Sequence, residues 1–384
     1  MKIINILRLL EKHTGGEVFL TGGFVRDFLR RKENPDIDVV VRNITLEKAM
    51  DFLKRYGRCK IITLAQSRET EPVRMLLFKP KNEEGSYNVQ ITLPRRGKVQ
   101  IGRPSNSIKQ DAKYRDFRFN ALYLPVNFKT RRDIIDFFGG QKDIEQKLIA
   151  PITTPAECFS LSPVRMLRMV RFAATLGYRI SIELLKEVKN HAEKILTVPP
   201  EILREEFNKI LLSPEPLRYL RLLQRLGLMR YLIPELDRCV GVKQDPHYHK
   251  YDVFTHSILT VDNLEPDLVL RLAGLLHDVG KTDTRKEVIK NGEKHVTFHK
   301  HEVESVKLAK IFLDRFRYNN KIKEQVLNLI GMHMYHYTRE YSDAAVRKFV
   351  KRAGITPENV CDLRNVPLFK LRAAERLSNG LKKE

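Results

Sequence analysis

The hydrophobic period of this chain changes near residue 140, and that change limits what it can fold into. Before it, the short β-rich runs EVFLTGG, DIDVVVR, YNVQITL and FNALYLPV alternate with amphipathic stretches, the pattern of a mixed sheet flanked by helices. From about 141 to 235, apolar residues recur at helical spacing through PVRMLRMVRFAATL, EILREEFNKILL and EPLRYLRLLQRLGLMRYL, with prolines at element starts. Beyond LIPELDRCVG a helical pattern runs to the end, and nine of the 11 histidines fall between His247 and His336. The expectation is an α+β chain: a head of mixed sheet with helices over 1–140, an all-α neck and body over 141–235, and an all-α, histidine-rich unit over 236–384. No internal repeat, low-complexity segment or long Gly/Ser linker separates them.

Lysine and arginine number 70 against 47 acidic residues, a net charge of +23 spread along the chain rather than gathered in a tail. Such a surplus favours a polyanionic partner, RNA or DNA before others, although a Lys/Glu-rich solubilising surface is the plainer reading. Cys59, Cys158, Cys239 and Cys361 are far apart and form no CxxC pair, so neither a disulfide framework nor a zinc ribbon is indicated and a reducing cytoplasm is expected. The opening MKIINILRLLEKH is charged and helical in pattern rather than a signal sequence. No apolar run approaches the roughly 18 to 20 residues that span a bilayer, so a soluble protein is expected.

The segment FLTGGFVRDFLRRKENPDIDVVV places Gly22-Gly23 after an apolar strand, then a helix with Arg26, then a second strand bearing Asp36 and Asp38. Two glycines at a strand-to-helix turn allow close backbone approach, and the exposed N–H groups of a helix start favour phosphate oxygens, with Arg26 as a fixed positive charge. Asp36 and Asp38 are two apart on a strand, so both leave one face and can hold divalent cations, a two-metal phosphoryl-transfer arrangement. A turn glycine pair with surface aspartates is the alternative.

Four ordered stretches, GGFVRDFL…DIDVVV, YRDFRFNALYL, IDFFGG and SPVRMLRMVRFAATLGYRI, resemble the successive motifs of class II tRNA nucleotidyltransferases and bacterial poly(A) polymerases, over roughly the first 230 residues. The resemblance implies a polymerase-beta-like nucleotidyltransferase head whose Asp36 and Asp38 bind Mg²⁺, with Gly22, Gly23 and Arg26 near the triphosphate. It further implies Arg115 on phosphate, Asp116 on ribose or on that arginine, and Asn120 supporting the turn. Gly139-Gly140, after Asp136, reads as a close-approach point or a plain turn. A helix over 163–176 carries Arg165, Arg168 and Arg171 along one edge, and in the family such a helix reads the incoming base; a solvated helix face is the alternative.

Two departures bear on the substrate. Leu161-Ser162 stands where the family usually has an acidic pair before the proline of that helix, which leaves the Ser162 hydroxyl as a weaker partner for a base edge. Tyr114 replaces the first of a double arginine, removing one candidate phosphate contact.

In the last third, DVFTHSIL, LRLAGLLHDVGK, FHKHEVES and GMHMYHY resemble an HD phosphohydrolase domain, with His256, His277, Asp278, His301 and His333 as candidate metal ligands. His299 and His336 stand as substitutes for their neighbours. The closing aspartate of that family is matched by Glu375 in LRAAERLSNG, and the short basic end SNGLKKE leaves contact with the tRNA elbow to the helices already counted. Imidazoles from separate helices with a carboxylate suit a divalent transition metal.

The expected activity is template-independent addition of CMP, as CC or within CCA, to the acceptor end of tRNA from CTP and ATP, with no membrane partner. The alternatives are an A-adding enzyme or poly(A) polymerase, an HD-type metal hydrolase acting on RNA ends, and a non-catalytic tRNA-binding protein.

Overall fold

The computed structural model of the chain describes residues 2–64, 73–81, 87–96, 99–100, 107–290, 292–335 and 341–380. It divides into two compact units, Met1–Arg165 with Gly177–Val188, and Met166–Leu176 with Lys189–Glu384.

The first unit opens with α1 (Lys2–Thr14), β1 (Glu17–Thr21), α2 (Gly22–Leu29), β2 (Asp36–Arg42), α3 (Leu46–Leu53), β3 (Gly57–Leu64), β4 (Val73–Pro80) and β5 (Asn88–Thr92). A short ribbon, β6 (Arg95–Arg96) with β7 (Val99–Gln100), precedes α4 (Ile108–Lys113), β8 (Leu122–Pro125) and β9 (Ile135–Asp136). Seven strands form one sheet in the order β3-β4-β5-β2-β1-β8-β9. β2 runs parallel to β5 and antiparallel to β1.

The two-residue period of β2 divides the unit. Ile37, Val39 and Val41 enter the main core with Leu7 and Leu10 of α1 and Phe52 and Leu53 of α3. Val40 points the other way, into a smaller cluster with Phe19, Ile108, Ala112 and Tyr123. Asp36 and Asp38 share the face of Val40, and a one-residue slip in register would send them into the main core. The runs GRCKIITL and VRMLLFKP pair as β3 and β4, from Gly57↔Pro80 to Leu64↔Val73. Because β3 ends the sheet, Cys59, Ile61 and Ile62 are only half-buried, and its sequence lacks the in–out contrast that marks β2.

After β9 come α5 (Gly140–Glu145), β10 (Leu148–Ile149) and α6 (Pro155–Leu161); β10 pairs in parallel with β11 (Arg179–Ile180). Helices α7 (Arg165–Leu176) and α8 (Ile182–His191) each run across a unit boundary.

The second unit continues with α9 (Pro200–Leu211), α10 (Pro216–Arg225), α11 (Met229–Leu232), α12 (Pro234–Asp237), α13 (Val253–Asp262), α14 (Leu268–Leu276) and α15 (Lys281–Thr284). Then follow an antiparallel ribbon, β12 (Lys286–Lys290) with β13 (Glu293–Thr297), and α16 (His301–Arg315), α17 (Asn320–Met332), α18 (Asp343–Ala353) and α19 (Pro367–Leu377). The ribbon interrupts a segment whose sequence reads as helical throughout. Prolines open α9, α10, α12 and α19, where a missing N–H costs nothing, and Asp252, Asp267, Asn319 and Ser342 cap α13, α14, α17 and α18. From Leu270 to Leu276 α14 is buried on every side, which delivers His277 and Asp278 into the core at its C-terminal end. Among the described residues no helix is long and apolar enough to cross a membrane.

Candidate functional site

In the head, β1 passes into α2 through Thr21, whose hydroxyl donates to Leu122 O at 2.8 Å instead of capping the helix. The first N–H groups of α2 therefore carry no side-chain cap from Thr21, which leaves them suited to an anion. Gly22 sits at φ +62°, and a Cβ there would lie 2.4 Å from Asp38 Oδ2. Asp38 faces Thr21 in register, and Asp36 accepts from Asn88 Nδ2 at 3.3 Å. The adjoining strand places Asn88 beside Asp36 and Gln90 beside Asp38, amides rather than a third carboxylate.

Arg26 is buried within a polar network. Its Nε and Nη2 donate to the two oxygens of Asp27 at 2.9 and 2.6 Å, and its Nη1 donates to Asn120 Oδ1 at 3.2 Å. Asn120 in turn donates to Asp116 Oδ1 at 3.1 Å, which also accepts from Phe117 N. Asp27 takes further bonds from Arg30 and Asn34, and Asn34 Oδ1 accepts from Asp36 N at 2.9 Å. Burial pushes the Asp27 carboxyl up, but the bonds and charge of Arg26, with Arg30 and Asn34, outweigh it and hold the pKa below the ordinary value. The network ties Asp116 and Asn120 to the glycine turn and to the start of β2.

Arg115 is anchored by Asp111, Oδ2 at 3.1 Å, and by the Tyr123 hydroxyl at 2.9 Å, while Tyr123 donates to Asp111 at 2.5 Å. Burial opposes its charge; Tyr123, Asp111 and, more weakly, Asp38 outweigh burial and raise its pKa. Asp27, Asn34, Asp111 and Tyr123 were not singled out from sequence. The legible signal was the four-residue step from Asp111 to Arg115.

Asp136 accepts from the backbone N–H of Phe138, Gly139 and Gly140 on one oxygen and of Gln141 on the other. A Cβ on Gly140 would lie 2.2 Å from Arg118 O, so this glycine marks a close backbone approach. Ser162 is half-buried and forms the C-cap of α6. Arg165 is buried, donating from Nη1 to Cys158 O at 3.2 Å and from Nη2 to Tyr114 O at 2.6 Å. In the second unit Arg168 and Arg171 both pair with Glu206.

The histidine cluster also assembles within the second unit. His256 lies on α13, His277-Asp278 after α14, His301 at the start of α16 and His333 just after α17. Asp278 Oδ2 is 3.2 Å from His277 Nε2 and 3.5 Å from His256 Nε2; its Oδ1 is 3.2 Å from His301 Nε2 and 3.7 Å from His333 Nε2. Each Nδ1 faces a backbone carbonyl: Gly274 for His277, Phe298 for His301, Ile330 for His333 and, at 3.4 Å, Ser378 for His256. A carbonyl only accepts, so Nδ1 carries a proton in each, and wherever the ring is neutral its Nε2 presents a lone pair; against burial, Asp278 raises the His277 pKa. Two Nε2 pairs then face one another at 3.3 Å, His256 with His277, and 3.1 Å, His301 with His333. Opposed lone pairs at that distance repel unless a cation lies among them, so the donor set fits a divalent ion.

Burial pushes the His256 and His333 pKa values down, while Asp278, despite its burial, is held well below the carboxylate range by His277 and Lys281. Glu375, buried on α19, has both oxygens held by Arg372 Nη1 at 2.8 Å. His299 is exposed, and His336 lies outside the described residues.

Three family models match consecutive stretches: a poly(A) polymerase head domain over 18–150, a probable RNA- and SrmB-binding site of polymerase A over 177–240, and an HD domain over 249–364. A multifunctional CCA protein of Thioalkalivibrio sulfidiphilus is 29% identical over 335 residues, covering 84% of this chain and 75% of that protein. One from Methylococcus capsulatus is 31% identical over 249 residues, covering 62% and 56%. In fold, the chain is similar to the Bacillus stearothermophilus CCA-adding enzyme in complex with CTP, with TM-score 0.63 at 19% identity, covering 98% of this chain and 81% of that one. A tRNA nucleotidyltransferase complexed with a primer tRNA and an incoming ATP analog gives TM-score 0.57 at 19% identity, covering 95% and 93%.

Proposed function

The chain belongs to the family of class II tRNA nucleotidyltransferases and poly(A) polymerases, and from that premise we propose that it adds CMP, as CC or within CCA, to the 3′ end of tRNA without a template. The observation that carries this reading is the pair Asp36 and Asp38 on one face of β2, with Asp38 packed against the uncapped glycine start of α2. The division into a head over 1–140, a neck and body over 141–235 and an HD unit over 236–384 is part of the same reading.

In this proposal Asp36 and Asp38 hold Mg²⁺, for which hard carboxylate oxygens on a half-open strand are suitable ligands. The ion, when bound, activates the tRNA 3′-hydroxyl and neutralises charge on the departing pyrophosphate. The 3′-oxygen attacks the α-phosphorus, the bond to the β-phosphate breaks, and the hydroxyl proton passes to solvent. Gly22 and Gly23 bring the N–H groups of α2 to the triphosphate. Arg26, Asp116 and Asn120 act as positioning residues through their shared network, and Arg115 supplies positive charge near Asp38. The Ser162 hydroxyl is the base contact in this reading, Arg165 braces the segment from Tyr114 to Cys158, and Arg168 is kept as a nucleotide-binding candidate. The four cysteines are free thiols, in keeping with work in the cytoplasm.

The HD cluster supports a second reading, hydrolysis of phosphate esters at RNA ends with a divalent transition metal held by His256, His277, Asp278, His301 and His333. Glu375, held by Arg372, borders the cluster in place of the usual aspartate.

The test gives purified protein and Mg²⁺ to tRNAs ending before C74, at C74 and at C75, with each labelled NTP separately, and sizes the products. CMP stopping at C75 means CC addition, and CMP followed by AMP means CCA synthesis. AMP alone means an A-adding enzyme, and no incorporation overturns the proposal in favour of the HD reading.

A further inference from the structure

Asp245, His247 and His295 form a compact group of donors that shares no residue with the HD cluster. Asp245 and His247 lie in the loop between α12 and α13, and His295 lies on β13, with Glu293 two residues earlier on the same face of that strand. Asp245 is buried, with Oδ1 2.8 Å from His247 Nδ1 and Oδ2 2.9 Å from His295 Nδ1. The two imidazoles are stacked, centroids 5.0 Å apart and planes at 25°. His247 Nε2 is 3.9 Å from Glu293 Oε2.

Two ligand atoms bound to one ion at about 2.1 Å each lie about 3.0 Å apart at a right angle and about 3.4 Å apart at a tetrahedral one, so the 2.8 and 2.9 Å spacings around Asp245 need open by only a few tenths of an ångström to form a ligand shell. Two imidazoles with carboxylates favour zinc, nickel, cobalt or copper over magnesium, which prefers oxygen and water. A carboxylate buried between two histidines is also costly unless its charge is met on both sides.

We propose that Asp245, His247 and His295 form a second divalent transition-metal site, with solvent completing the shell. The bound ion fastens the β12–β13 ribbon to the loop ahead of α13. That loop also supplies Gln244, whose Oε1 accepts from Lys281 Nζ at 2.8 Å, while the same ammonium donates to Asp278 at 2.7 Å. The site therefore steadies one wall of the HD cluster.

The experiment strips the full-length protein with a chelator, titrates it with Zn²⁺ by calorimetry, and counts zinc retained after gel filtration. His247 has a side chain 53% exposed, so His247→Ala leaves the core intact, and His247→Ala/His295→Gln removes both imidazoles. The expected result is loss of one zinc equivalent in the double variant and a weakened one in the single variant, with nucleotide incorporation unchanged. Amide exchange of residues 292–297 slows on adding Zn²⁺ in the wild type and not in His247→Ala/His295→Gln. The equivalent persists in His301→Ala/His333→Ala, so failure of the HD reading is seen separately. Equal zinc counts and affinities in the wild type and the His247→Ala variants overturn the proposal.

Discussion

Gly22 and Asp38 occupy one another's space: the glycine is at φ +62°, and a Cβ on it would fall 2.4 Å from Asp38 Oδ2. The first residue of α2 and the second aspartate of β2 are therefore a single steric unit, although fifteen residues of chain lie between them.

Gly22→Ala should displace Asp38 and strain the turn together, at a cost in stability of about 1–3 kcal/mol. Incorporation should fall by about 100-fold or more, while tRNA retention on filters stays near wild type. An alanine variant with wild-type turnover would remove Gly22 from the reaction.

Asp36→Ala and Asp38→Ala should each abolish incorporation and leave tRNA affinity within about threefold, because in the proposed reading these groups hold metal rather than backbone phosphate. Single-turnover incorporation alongside a tRNA binding curve separates the two effects, and undiminished turnover in either variant would sink the two-metal assignment.

Asp143, on α5, has its pKa pushed up to about 6 from an ordinary 3.8, chiefly by burial and also by Asp136, against the lowering effect of Arg118 and Lys142. An acid whose folded pKa lies above its unfolded one binds the extra proton in the folded state between the two values, so it reduces stability as pH rises through that window. Denaturant unfolding at pH 4.5 and pH 7 should show this contribution declining, and Asp143→Asn should remove it. The variant should be equal to or more stable than wild type at pH 7, by on the order of 1–3 kcal/mol.

A divalent transition ion should raise the Tm of the protein through the HD cluster, since an ion that binds only the folded state stabilises it by mass action. Substituting Ala for both His301 and His333 should abolish most of the shift with Mn²⁺, as read by differential scanning fluorimetry. An unchanged shift would mean that the ion binds elsewhere.

Much of the site was open to sequence reading because it depends on local periods. The two-residue step from Asp36 to Asp38 settles that they share a face whichever sheet receives them, and the apolar run before His277-Asp278 announces a buried helix end. Short strands without contrast, such as β3, and the ribbon inside the helical segment were not legible in the same way. Their pairing depends on partners that local patterning does not identify.

The side chains around those positions depend on the tertiary structure. Arg26 reads as a charge for phosphate, and the fold adds its bonds to Asp27 and Asn120; Arg165 reads as a base contact, and the fold adds its bonds to the carbonyls of Tyr114 and Cys158. Asp245 meets His295 across 50 residues, a contact no spacing rule anticipates. The sequence by itself determined the order of the three regions, the shared face of Asp36 and Asp38 and the motifs, since these follow from periodicity and local chemistry. Only the tertiary structure decided which buried donor satisfies which acceptor, because burial removes water as a partner and leaves each polar group dependent on whatever distant chain the fold brings within about 3 Å.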